Sequence, residues 1–401
     1  MQTDVVIAGA GVAGLLLASE LARSFQVVVV ERRPAVPENK YWLTDAASAE
    51  VAADLTSCVA TYCETMDFIA YDGTCARVHG PYAQWDTHRL LDELARRAVA
   101  NGATILFEHP FLTCTWASDH VEVRAGSAVI KTRLLVDCMG YESPIVLAKR
   151  TVDFLGFFLI AGRRVRLREP IAAVGLHNTL LQGEASYLEL LPNGDGTANL
   201  TMIAPTRSLR DRRSLARDLA DSLLLSPYRE VVADDPVPKA QLFGIVPVGI
   251  ARKHTLDRVF FYGEAGQVNP AASATGFSTM LRSYRHVAEL LGEQLRRDDL
   301  KSASLQPRHL QYMPRFHRLF QELLFKSLLT YSSDDFRALV NELARLDPAI
   351  VNGFIFASLP MAEYLAPLTR ALAGSRGILA EHLLRALLRY PFAYGLSSPR
   401  R

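Results

Sequence analysis

Apolar positions follow three successive patterns along the chain. Near the N-terminus they form unbroken runs, at residues 5–8 and again within 26–30, the mark of parallel strands buried on both faces. Between these runs, residues 15–23 read as a helix. A second helix is predicted from Asp86 or Thr87 to about Ala100, with leucines at helical spacing behind an N-cap and Asn101-Gly102 as its stop. Strands at 104–108 and 131–136 follow, with a hairpin-like pair around Ser118-Asp119 and Gly126. Residues 46–80 mix alternating and helical fragments and give no order.

From 152 to about 248 the pattern changes to short β runs (154–160, 185–191, 197–204) broken by turn clusters. Asn193-Gly194 and Asp195-Gly196 are the strongest of these turn signals. One helix, 208–225, interrupts them. A buried strand at 258–263 and a helix at 278–295 restore the first pattern. Beyond Pro307 the third pattern is nearly all helix: 309–329, 333–346, 348–356, 361–373 and 378–388. Phe316, Leu319, Phe320, Leu323 and Leu324 form a core-facing stripe there. Leu379, Leu383, Leu384, Leu387 and Leu388 form another, with Arg376, Arg385 and Arg389 among them. A basic amphipathic helix of that kind suits peripheral contact with a membrane surface, although such stripes are more often core.

The predicted fold is α/β. Residues 1–150 and 249–300 make a discontinuous Rossmann-type nucleotide-binding domain. Residues 151–248 are an inserted antiparallel-sheet substrate domain, and 301–401 a helical C-terminal cover. The first domain is read from Gly9, Gly11 and Gly14 in the spacing G-x-G-x-x-G, between a buried strand and a helix. Glycines there permit a tight turn and close approach of a pyrophosphate to the helix N-terminus. Glu31 ends the next strand, 20 residues beyond Gly11, and is placed to accept ribose hydroxyls. Arg32 and Arg33 follow it, suited either to the phosphates or to open surface.

Composition narrows the function classes. The 401 residues carry 21% charged side chains and a net charge of +2, so no electrostatic case exists for nucleic acid. Five cysteines without a C-x-x-C pair point to a reducing cytoplasm rather than disulfides or zinc. No signal-peptide pattern precedes the first strand, and apolar runs such as 154–161 are too short to span a bilayer. The expectation is a cytoplasmic protein, at most peripheral to a membrane. His79, His88, His177 and His286 lack ligand spacing, and no metal is assigned.

Two more stretches carry chemistry. Asp137, Gly140, Ser143 and Pro144 form a strand-ending turn, DxxGxxSP. Residues 262–277, YGEAGQVNPAASATGF, join a strand to a helix whose amides suit a phosphate or ring edge. With GAGVAG and Glu31, these motifs in this order resemble the flavoproteins of the p-hydroxybenzoate hydroxylase fold. The third motif and DCMGYESPIV are most similar to lycopene cyclases and geranylgeranyl reductases. The resemblance covers roughly residues 1–300 and implies FAD as cofactor. It implies contacts from Gly9, Gly11, Gly14, Glu31, Arg32 and Arg33 to its adenosine half. Gly140, Glu264, Pro270, Thr275, Gly276 and Phe277 would hold the ribityl and ring half, and Arg89 on the 86–100 helix a third contact.

Departures from the family matter as well. Glu264 replaces the usual Asp, and Met139 stands where NADPH-fed hydroxylases carry an acid. No acid within LPNGDGTANLTM matches the catalytic Glu of the cyclases, and the stretch between Lys40 and Lys131 lacks the halogenase lysine. The expected function is FAD-dependent oxidation or reduction of a hydrophobic small molecule of polyene, isoprenoid or polyketide kind, in secondary metabolism. Electrons would come from NAD(P)H or a separate flavin reductase. A non-redox cyclase or isomerase holding reduced FAD, and a flavin-free carrier of the same fold, are the alternatives. For acid–base work the weak candidates are Glu184 and Glu189, on the substrate sheet; a solvent-facing role is the commoner fate of such acids.

Overall fold

The computed structural model describes residues 1–36, 40–178, 186–233, 242–306 and 315–358, with residues 363, 366 and 367. The chain begins β1 (Gln2–Ala8), α1 (Val12–Leu21), β2 (Val27–Val30). It then leaves that layer for β3 (Leu43–Asp45), the short α2 (Ala46–Val51) and a long hairpin, β4 (Val59–Ile69) with β5 (Cys75–Trp85). Helix α3 (Thr87–Ala100) brings it back to β6 (Thr104–Leu106), β7 (Phe111–Trp116), β8 (Val121–Ala125), β9 (Ala128–Asp137) and α4 (Pro144–Lys149). Next come β10 (Val152–Arg166), β11 (Ala173–Asn178), β12 (Tyr187–Pro192) and β13 (Thr197–Thr206). Helices α5 (Arg212–Leu224) and α6 (Tyr228–Val231) precede β14 (Leu242–Ala251), β15 (Thr255–Leu256) and β16 (Val259–Phe261). The described chain closes with α7 (Gly276–Arg297), α8 (Ser302–Leu305), α9 (Arg315–Leu328), α10 (Ser333–Leu343) and α11 (Pro348–Ile355).

The strands form two eight-stranded sheets. The first has the order β15-β16-β9-β1-β2-β6, with β8 also on β9 and β7 on β8. Its centre is parallel: Val5 faces Val27 on one side and Leu134 on the other. Both faces are covered, which is why β2 is four buried valines in a row and shows no alternation. Leu15 and Leu16 of α1, Leu90 and Leu94 of α3 and Leu291 of α7 share one core against it. Helix α3 begins where the sequence placed it, with the Asp86 carboxylate accepting the Arg89 N–H.

The second sheet has the order β14-β10-β13-β12-β11-β4-β5-β3. It amends the expected domain boundaries. The sheet expected at 151–248 is not a single insertion, because residues 43–85 supply three of its strands. β4 joins β11 in parallel, Met66 facing Val174. The partners lie too far apart in sequence for local patterning to reveal the pairing. Helix α5 covers one face, with Leu215, Leu219 and Leu223 against Leu188, Leu200 and Met202.

Helices α9, α10 and α11 cover the opposite face. Phe325 of α9 meets Phe158 of β10 edge-on at 5.1 Å, and Phe336 of α10 packs beside Tyr187 of β12. A capping box of Ser332 and Asp335 opens α10, and Asp347 with Pro348 opens α11. Of the predicted stripe on α9, Phe320 and Leu324 line a cavity and Leu323 is buried. The second stripe, 379–388, lies outside the described residues. Among the described residues no helix is long and apolar enough to cross a membrane.

Candidate functional site

One cavity of about 760 Å³ runs from the glycine loop after β1 to the space between the second sheet and α9–α11. At its first end, Gly9 has φ +104°, and a Cβ there would meet the Cys138 carbonyl at 2.7 Å. A Cβ on Gly14 would lie 2.0 Å from the Gly9 carbonyl oxygen, so Gly14 is fixed by helix–strand packing and does not itself line the cavity. Gly11 differs from both. Its backbone (φ −72°, ψ 177°) is open to any residue, and an added Cβ would find no protein atom within 4 Å. Protein packing therefore gives no reason for glycine at this position, whereas a ligand lying against the N-terminus of α1 does.

Glu31 is buried beside this loop. One carboxylate oxygen accepts the Ala10 N–H at 2.9 Å and the other the Arg33 N–H at 3.0 Å. Each oxygen keeps a lone pair for a further donor, as a ribose diol requires. The Arg32 guanidinium pairs with Glu142 at 2.9 Å across the rim, and Arg33 also lines the cavity.

The second motif is a braced turn. Asp137, fully buried at the end of β9, accepts the Met139 N–H at 3.0 Å and the Ser143 hydroxyl. Burial holds its carboxyl up at about 6. The turn sets Met139 and Gly140, which has φ +77°, on the cavity wall.

The third motif supplies the opposite wall. Glu264 lines the cavity and pairs with Lys40. Gln267 and Ala274 take positive φ as the loop bends. Gly276 is required by the Asn269 side chain, which a Cβ would overlap at 1.4 Å. Thr275 and Phe277 face the cavity at the start of α7. Phe277 is clamped by Trp42, stacked at 4.9 Å, and by Trp85, edge-on at 5.4 Å. Pro270 is not a wall residue; its carbonyl accepts the Ala274 N–H at 2.9 Å.

This loop also grips α11. Ser273 and Thr275 donate their hydroxyls to the Ile355 carbonyl at 2.6 and 2.5 Å. Gln321 of α9 accepts the Ala272 N–H and donates to the Phe354 carbonyl, both at 2.8 Å. The last carbonyls of a helix lack intrahelical partners, and here the third motif and Gln321 provide them.

Beyond the loop the cavity is walled by Phe158, Ile160, Ile203, Leu324, Phe336 and Phe354. Glu189 of β12 stands among these apolar groups. Its free surface faces the cavity and not bulk water, and burial pushes its carboxyl up to about 7. The Thr201 hydroxyl donates to it at 3.1 Å, which opposes part of that rise. Tyr187, two residues earlier, lies on the same wall.

The structure thus brings together Gly9, Gly11, Glu31, Arg32, Arg33, Gly140, Glu264, Thr275, Phe277 and Glu189 on one cavity. It does not bring Arg89 there: its guanidinium donates to the Ser57 carbonyl at 2.9 Å, outside the cavity. Glu184 lies outside the described residues. Among the described residues no group of three or more His, Cys, Asp or Glu side chains is arranged to hold a metal. Sequence reasoning missed Lys40 and the clamp residue Gln321. A glutamine inside an apolar helical stripe was the one available signal for the latter.

A model of lycopene cyclase proteins matches residues 4–171. No curated protein matches the chain in sequence. Among solved structures, a geranylgeranyl bacteriochlorophyll reductase-like protein of Thermoplasma acidophilum is 15% identical, with 97% of this chain and 98% of that one aligned and a TM-score of 0.72. The halogenase PltM, crystallised with FAD, is 15% identical over 100% of this chain and 89% of its own, with a TM-score of 0.65. BexE, described in connection with an oxidation during biosynthesis, is 22% identical over 89% and 76%, with a TM-score of 0.66. The chain has the fold of the FAD-binding flavoproteins, as its three motifs implied.

Proposed function

We propose that this chain is an FAD-dependent oxidoreductase acting on a hydrophobic small molecule held between the second sheet and α9–α11. The observation that carries the reading is one continuous cavity, with a glycine that protein packing does not require at one end and apolar walls at the other. Glu31 and the α1 amides would hold the adenosine half of FAD, with Glu264, Thr275 and the first turn of α7 holding the remainder. Bound FAD supplies the electron transfer. The chain's own residues position the substrate, exclude water and manage protons. Glu189 keeps a proton in a dry wall at pH values below about 7 and is the residue suited to deliver it. Polyene, isoprenoid or polyketide substrates fit walls of this character, and secondary metabolism is the setting such substrates suggest.

A second reading, a cyclase or isomerase that uses bound reduced FAD without net redox, is favoured by the same carboxyl. A protonated acid facing an apolar chamber suits protonation of a double bond. Anaerobic mixing of the flavin-loaded protein with NADPH, NADH or a flavin reductase, followed by a panel of apolar substrates, separates the two. Product formation with flavin reoxidised in stoichiometric amount, without oxygen for a reduction or on admitting oxygen for an oxidation, supports the oxidoreductase; product isomeric with substrate and flavin left reduced supports the cyclase. A colourless protein that takes up no FAD sinks both and leaves the carrier.

A further inference from the structure

The flavin reading gives Lys40 a role that no sequence motif assigns. Its ammonium donates to the Glu264 carboxylate, with the two side chains only 28% and 17% exposed. The other oxygen of Glu264 lies where a Cβ on Gly140 would come within 3.2 Å, so the pair sits where the second and third motifs meet. Lys40 is anchored from behind: its carbonyl accepts the Thr87 hydroxyl at 2.7 Å, at the start of α3. Both side chains line the cavity that the glycine loop opens into.

A pyrophosphate brings two negative charges into this space. The α1 N-terminus offers only partial positive charge. Arg32 is held by Glu142 at the outer rim, 60% exposed, where water and salt screen it. Glu264, unless neutralised, would repel the incoming phosphates. Arg33 also lines the cavity but follows directly on Glu31, at the adenosine end; Lys40 is the partly buried full charge where the second and third motifs meet, and its stem is flexible enough to swing.

We propose that Lys40 exchanges partners when FAD binds, leaving Glu264 for the pyrophosphate and freeing that carboxylate to accept the ribityl hydroxyls. The free protein thereby stores both charges as a neutral pair, and the longer reach of Glu264 over Asp is what lets it meet the lysine.

The test compares binding of FAD, ADP and riboflavin to the full chain and to Lys40→Met, Lys40→Arg and Lys40→Met/Glu264→Gln. Flavin fluorescence follows FAD and riboflavin; calorimetry follows ADP. Lys40→Met is expected to weaken FAD and ADP by about tenfold or more, the scale of one lost charge-assisted hydrogen bond, and to leave riboflavin unchanged or bound more tightly, since Glu264 is then free for the ribityl chain. Lys40→Arg should retain FAD, and the double variant should regain part of the loss because the repelling carboxylate is gone. Lys40→Met that binds FAD like wild type, or loses riboflavin as much as FAD, overturns the exchange while the flavin reading stands. Wild type that binds neither FAD nor ADP overturns both.

Discussion

Gly11 and Gly14 are three residues apart and do opposite work. Gly14→Ala forces a Cβ to 2.0 Å from a backbone oxygen and should destabilise the fold by about 1–3 kcal/mol or more. Gly11→Val, placed where an added Cβ meets nothing within 4 Å, should abolish flavin retention and leave the melting temperature near that of wild type stripped of its flavin. Circular dichroism melts and the visible spectrum of the purified variants check both outcomes. Glu189 offers a measurement that needs no substrate. Its folded-state carboxyl titrates at about 7, above its ordinary 4.5, so its stabilising share is complete below 4.5 and lost as pH rises through 7. Glu189→Gln removes that loss. The variant's melting temperature relative to wild type should therefore rise between pH 5.5 and pH 8.5, and an unchanging difference would mean the carboxyl is not desolvated.

Helix α11 shows what a motif does once folded. Ser273 and Thr275 read in the sequence as part of a small-residue run beside a flavin; both hydroxyls are committed to the Ile355 carbonyl, eighty residues on. Gln321→Ala deletes one acceptor and one donor from the same clamp. It should cost about 1–3 kcal/mol and raise hydrogen exchange across residues 348–356, read by mass spectrometry. Protection unchanged at those amides would show that packing alone holds the helix. The glycine loop, the Asp86 cap and the Pro348 start were legible because each obeys a rule spanning a few residues. The place of β3–β5 and the partners of Ser273, Lys40 and Gln321 were not, since each depends on a contact between separate elements, well beyond the reach of local patterning. Arg89 shows the converse: a residue on a correctly placed helix still turns its guanidinium to a nearby carbonyl.

At the scale of the whole molecule, one continuous cavity links a nucleotide groove to an apolar chamber, and Met139 stands on its wall where the resemblance to NADPH-fed hydroxylases would put an acid. Direct reduction of the bound flavin by NADPH should accordingly be slow or absent, with a separate reductase doing better. Stopped-flow absorbance that finds many turnovers per second, accelerated by substrate, would count against this. The parallel pairing of Met66 with Val174 has a consequence for how the protein is made. On the ribosome, β4 and β5 emerge as a hairpin about a hundred residues before β11, which at bacterial-type rates of synthesis is a wait of roughly 5 to 20 s. Throughout that interval the outer edge of β4 is an unpaired template for any passing strand. Nascent chains halted before Ala173 should therefore recruit chaperones or aggregate, and chains released just beyond Asn178 should do so less.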